Sequence, residues 1–291
     1  MRWRDKWSNT VEGWRYCYLP GLVDLLVAAS TAPAKGRLRM ENMAMLVDNS
    51  VLGHSITHET GWISTGITKW GEVDVPTGYR ARVCVHGPDC ETEIYKNVTF
   101  MPGIAHLART GQLELCTSAE LRSEQFRQPT GRFRGYGSFD YGLFRNIQFR
   151  SVDGIPSDSF GPKWMGLPNI KTQQQDRLAR SDDPLFAELV RHLGPKNNVD
   201  AWHLRTAERH GLFCFLTMDF RLRRLVKSKA HLEPFRSLRT RVMTPAELGR
   251  LLGLVPVAPS LFSYHDARSV VRADLHWPTN TRRPKSSYRV R

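Results

Sequence analysis

Cysteine is scarce in this chain: five in 291 residues, Cys17, Cys84, Cys90, Cys116 and Cys214. An odd number at irregular spacing suggests no disulfide framework, so a reducing, cytoplasmic setting is expected. Long apolar runs are missing as well. None approaches the roughly 20 residues that span a bilayer. The apolar run 22–29 is broken by Asp24 and separated from Arg2, Arg4 and Lys6 by a long polar stretch, which argues against an export signal. No internal repeat is present. Zinc-like patterns fail on inspection: His54 and His58 lack a Glu directly after the first His, and Cys84, His86 and Cys90 lack a fourth ligand at regular spacing. No nucleophile stands at a recognisable distance from a base. Acidic residues are outnumbered, 28 against 42 Lys and Arg, leaving a net charge of +14. That excess favours a polyanionic partner, although it bears on association and not on fold.

What is present is best read from 198–222. Ala201, Leu204 and Ala207 recur at helical spacing behind Asp200, and Gly211 ends the helix, so Asp200 falls in the first turn. The apolar run 212–216 then reads as a buried strand that delivers Asp219 to its carboxyl end. In open α/β sheets, ligand sites collect at that edge. A second strand, 43–47, ends in Asp48-Asn49-Ser50. After a short helix closed by Gly111, a third strand, 112–117, passes through Ser118 into a helix bearing Glu120 and Glu124. Further helices are expected at 185–193, capped by Asp182 or Asp183, at the basic stretch 221–229, and from Thr244-Pro245 onward after a strand at 238–243. Alternation at 79–85 and 93–100 about Gly87-Pro88-Asp89 predicts a β-hairpin. At the amino terminus, Trp3, Trp7, Val11 and Trp14 share one face of a helix over 2–15, which predicts docking by that stripe.

The arrangement Asp200-Ala201-x-His203-Leu204-x-x-Ala207, then Gly211 and Phe215-Leu216-Thr217-x-Asp219-x-x-Leu222, resembles the second half of a PIN-domain nuclease. The strand ending in Asp48 resembles the family's opening strand, with Asn49 and Ser50 exchanged relative to its usual order. Ser118 followed six residues later by Glu124 resembles its second acidic passage, with Glu120 one turn away as the replacement. A haloacid-dehalogenase phosphatase would need a second Asp two residues after the first, where Ser50 stands.

The resemblance covers about 41–255 and implies an α/β, PIN-like three-layer fold, a central mostly parallel sheet flanked by helices, with an inserted β-hairpin. Around it lie an N-terminal helical extension at 1–40, insertions at about 53–100 and 128–180, and a basic tail at 256–291. It implies Asp48, Glu124, Asp200 and Asp219 as catalytic residues and as ligands of Mg²⁺ or Mn²⁺, supported by Asn49, Ser50 and Thr217. Four gathered carboxylates repel unless a cation neutralises them, and all-oxygen ligands suit these hard ions. The activity implied is endoribonuclease hydrolysis of phosphodiester bonds. A noncatalytic RNA-binding protein, or the toxin of a toxin-antitoxin pair partnered by an antitoxin, are the alternatives, and a homodimer is left open. Arg interleaved with aromatic residues at 131–150, above all Arg132, Arg134 and Arg145, is expected to contact RNA.

Overall fold

Met45, Leu46, Val47, Leu115, Cys116 and all of Cys214–Leu216 are buried, which only central strands covered on both faces achieve in runs this short. The computed structural model describes residues 3–38, 43–86, 92–127 and 139–267. In chain order its elements are α1 (Trp3–Ser30), α2 (Ala34–Leu38), β1 (Ala44–Val47), α3 (Asn49–His54), β2 (Ile56–Trp70), β3 (Val73–Cys84), α4 (Glu93–Val98) and α5 (Met101–Arg109). There follow β4 (Glu114–Thr117), α6 (Ala119–Arg127), β5 (Tyr141–Gly142), β6 (Arg150–Ser151), α7 (Ile170–Ala179) and α8 (Pro184–Leu193). The last are α9 (Asn198–Arg209), β7 (Cys214–Leu216), α10 (Phe220–Ser228), β8 (Arg241–Met243) and α11 (Pro245–Leu252).

Five strands form an all-parallel sheet in the order β6-β4-β1-β7-β8. The three strands expected side by side are its centre: Leu46 lies between Cys116 and Phe215. Strand alternation sorts the core into two clusters. Met45, Val47, Leu115, Cys214 and Leu216 face α1, α5 and α11, where Val23, Val27, Ile104, Leu107, Leu248 and Leu252 meet them. Leu46, Cys116 and Phe215 face the other way, onto Leu121, Leu178, Leu189, Leu204 and Leu222 of α6 to α10. The result is a three-layer α/β arrangement. The chain runs outward from β1 through β4 to β6, then returns to β7 and β8 on the far side of β1. Strand order therefore reverses between β1 and β7, which is where such sheets open a crevice at their carboxyl edge.

The hairpin exists, but its strands are β2 and β3, with Gly71 (φ 64°) in the turn, and β5 extends them to a three-stranded antiparallel sheet. Residues 93–98, expected as the second hairpin strand, are instead helix α4. Thr92 caps α4 by accepting from the Tyr95 amide, and the buried Asn97 side chain accepts from the Ala246 amide at the start of α11, 3.2 Å and 2.9 Å respectively. Tertiary contact thus decides a segment whose alternation was ambiguous.

The N-terminal helix runs to Ser30, twice as far as expected, and docks through Val23 and Val27. Val11 and Trp14 of the predicted stripe are exposed, while the Trp3 and Trp7 side chains lie outside the described residues. Residues 171–179 belong to helix α7, and Asp183 caps α8 as expected. The tail also starts later than expected. Val257, Phe262 and Tyr264 are buried, the last two in a 3-10 turn over Pro259–Tyr264, and residues 268–291 lie outside the described part. No described helix is long and apolar enough to cross a membrane.

Candidate functional site: an acidic cluster at the carboxyl edge of the sheet

Asp48 follows β1 directly and caps α3 in extended conformation. Its amide continues the parallel ladder onto the Leu216 carbonyl at 2.9 Å. Thr217 holds the equivalent place after β7, so the two backbones run side by side into the crevice. The Asp48 carboxylate accepts from Ser50 Oγ and, at 2.7 Å, from Thr217 Oγ1. Both hydroxyls are aimed there because each also accepts a backbone amide: Met218 N to Ser50 Oγ at 2.9 Å, and Asp219 N to Thr217 Oγ1 at 3.0 Å. Each hydroxyl has one proton, and the amide partner leaves it for Asp48.

Glu124 projects from α6 and is held at both oxygens. Asn49 Nδ2 donates to Oε2 at 3.1 Å and to the Leu121 carbonyl at 2.8 Å, while Gln125 Nε2 donates to Asn49 Oδ1 at 2.9 Å. His203 Nε2 meets Oε1 at 2.9 Å, with Arg127 at 3.6 Å. Glu120 points elsewhere: Arg177 forks onto it at 2.8 and 2.9 Å and ties α7 to α6. Glu120 is thus engaged by Arg177, whereas the charge of Glu124 acts on Asp48 and Asp200.

Asp200 occupies the first turn of α9, as expected, and Gly211 (φ 61°) ends that helix on the way into β7. Asp219 caps α10, its Oδ1 accepting the Arg221 and Leu222 amides at 2.8 and 2.9 Å. Asp200 and Asp219 line a cleft of about 480 Å³ together with Asn197, Arg221 and Arg224.

Electrostatics bind the four acids into one group. Burial pushes the Asp200 carboxyl up to about 6, and Asp48, Asp219 and Glu124 add to that rise while His203 opposes it. Burial also raises Asp48, against the pull of Ser50, Thr217 and His203 and with a further push from Glu124. Glu124 goes the other way. Burial would raise it, but His203, Asn49 and Arg127 outweigh that and hold it below the usual range. His203 is raised in turn, since Glu124, Asp48 and Asp200 outweigh the burial that would lower it.

His203 is the residue of the site to which sequence reasoning gave no role. It is 1% exposed, and its Nδ1 has no hydrogen-bond partner among the described residues. The available signal was its position one turn after Asp200, on the same helix face. Asp200 and Asp219 line the cleft, while Asp48 and Glu124 reach Asp200 through their charge. Among the described residues, no three His, Cys, Asp or Glu side chains are placed to enclose a metal ion. Glu124 is drawn toward His203 and Arg127, and one oxygen of Asp219 is taken by helix amides.

Of the arginines expected to grip RNA, Arg132 and Arg134 lie outside the described residues. Arg145 pairs with Asp266 at 3.3 Å and lines a different cleft of about 470 Å³, beside Arg122, Gln125 and Phe149.

Fold and site together define an α/β chain with a four-acid cluster where its strand order reverses. Comparison with protein-family models, curated proteins and solved structures gives no match.

Proposed function

We propose that this chain is a metal-dependent ribonuclease of the PIN-like kind, which hydrolyses phosphodiester bonds at the Asp48, Glu124, Asp200 and Asp219 cluster. The observation that carries the proposal is the gathering of carboxylates at the reversal point: burial raises Asp200, and Asp48, Asp219 and Glu124 each add to that rise. Such crowding is unfavourable in isolation and is relieved by a cation. Hard oxygen donors with no cysteine among them fit Mg²⁺ or Mn²⁺. Asp48, Glu124, Asp200 and Asp219 would hold the metal, which would supply neutralisation of phosphate charge and activation of water. The chain's own contribution is positional. Ser50 and Thr217 fix one oxygen of Asp48, and Asn49 and His203 fix Glu124 from opposite sides. In the reaction, a water oxygen bonds to phosphorus, the bond from phosphorus to the leaving oxygen breaks, and that oxygen takes up a proton.

A second proposal, a noncatalytic RNA-binding chain, draws on the open spacing of the four acids. Incubation with structured and unstructured RNA separates the two. Cleavage that requires Mg²⁺ or Mn²⁺, stops in chelator and disappears in a folded Asp48→Asn variant is the expected result. Binding without cleavage under every metal condition would leave only the second proposal standing.

A further inference from the structure

Helix α10 begins in the acidic cleft and leads away from it. Asp219, its cap, is one of the four acids, and Arg221 and Arg224 line the same cleft. Arg224 also lines the neighbouring depression, of about 360 Å³, together with Lys96, Lys227 and Arg250. One arginine thus joins two concavities into a continuous track. Arg221, Arg224 and Lys227 recur every third residue along one exposed flank. Neighbouring Arg223 shows what a structural cation looks like here. Its guanidinium forks onto Glu247 at 2.8 and 2.9 Å and fastens α10 to α11. Arg221 and Arg224, by contrast, form no ion pair among the described residues. Glu93 is the remaining acid in the second depression once Glu247 is paired, against Lys96, Arg224, Lys227 and Arg250.

Carboxylates in the cleft repel a phosphodiester, so a polyanion brought there has to be held by cations at its border. We infer that the flank of α10, Arg221, Arg224 and Lys227, continued by Lys96 and Arg250, seats the phosphate backbone of a single-stranded nucleic acid on one side of the scissile position. The scissile position is the part that rests on the nuclease proposal; the seat itself does not need catalysis. Nine residues of helix extend about 13 Å, room for roughly three phosphates, one per cation. Arg145, the one described arginine of the stretch expected from sequence, lines a different cleft.

The test is fluorescence anisotropy of a labelled 20-nucleotide single-stranded RNA of mixed sequence, titrated with the full chain in chelator over a series of KCl concentrations. The triple variant Arg221→Ala, Arg224→Ala, Lys227→Ala should bind at least tenfold more weakly at low salt. Its log–log salt slope should be shallower by about 2, three contacts at ~0.7 each. A double variant of two exposed arginines that line neither concavity, Arg180→Ala with Arg209→Ala, should keep the wild-type slope. Equal affinity and slope in the triple variant, or an equal loss in the double variant, would overturn the assignment. If the triple variant does not fold, Arg224→Glu alone takes its place and should weaken binding at least fivefold; wild-type binding there overturns the assignment too. A wild-type chain that binds through this flank yet cleaves nothing with metal would sink the nuclease proposal and leave the seat standing. Normal cleavage with a triple variant that binds normally would do the reverse.

Discussion

Asp200 and Glu124 titrate in opposite directions, because burial raises Asp200 with Asp48, Asp219 and Glu124 adding to the rise, whereas at Glu124 the contacts with His203 and Asn49 outweigh burial. The raised Asp200 keeps its proton in the folded chain at pH values where the unfolded chain has lost it. Its contribution to stability therefore falls as pH rises from the ordinary 3.8 through about 6. Asp200→Asn should accordingly stabilise the metal-free protein at pH 7, by something on the order of 1 kcal/mol, and by less at pH 4, where the folded Asp200 keeps its proton and the unfolded one has lost it only in part. Thermal unfolding in chelator at the two pH values reads this; a destabilised variant at pH 7 would show that Asp200 is not crowded. His203 carries the opposite requirement. Its raised folded value makes its stabilising effect full below the ordinary 6.5 and lost as pH climbs through the folded value. His203→Ala leaves Glu124 buried without its main partner and should cost about 3 kcal/mol in urea unfolding below pH 6.5. The positions of Asp48, Asp200 and Asp219 were legible in sequence because each ends an apolar run or opens a helix, whereas Glu124 stands midway along α6. The role of His203 was not, since its partner Glu124 lies 79 residues upstream and only folding brings the two together.

At the scale of elements, the segments β1, β4, β7, α5, α9 and α10 could be read because burial on both faces leaves few sequences able to form them, and because Gly111 and Gly211 mark clean ends. Position within the hairpin could not, as residues 79–85 and 93–100 alternate alike and the Thr92 cap with the Asn97 bond to α11 separates helix from strand. That same junction depends on a glycine. A Cβ at Gly249 of α11 would come within 2.3 Å of the Phe100 ring, between α4 and α5. Gly249→Ala should therefore force Phe100 or α11 to move, at a cost of roughly 1–3 kcal/mol, despite alanine's better helix propensity. A melting temperature equal to or above wild type would mean that this contact yields freely.

Over the whole molecule, a net charge of +14 accompanies the gathered acids, so the chain should attract polyanions as well as divalent cations. Metal binding to the folded form alone raises stability by about 2.7 kcal/mol at a concentration 100 times the dissociation constant. Thermal unfolding with increasing Mg²⁺ or Mn²⁺ should therefore shift upward in the wild type, and much less in Asp48→Asn, whose starting stability is expected to be higher. Equal shifts in both proteins would place the metal elsewhere.

The buried guanidinium of Arg82 determines where this chain can be shortened. It is 2% exposed and donates to three carbonyls: Phe139 at 2.6 Å, and Ser263 and His265 at 2.7 Å each. Two of the three acceptors lie beyond residue 255, past the last regular helix. A protein cut after Leu254 would strand a cation inside the domain and uncover the core that Val257 and Phe262 close. One cut after Ala267 keeps both. Expression of the two lengths should give aggregate from the first and a cooperatively melting protein from the second, which makes residues 256–267 the closing latch of the fold.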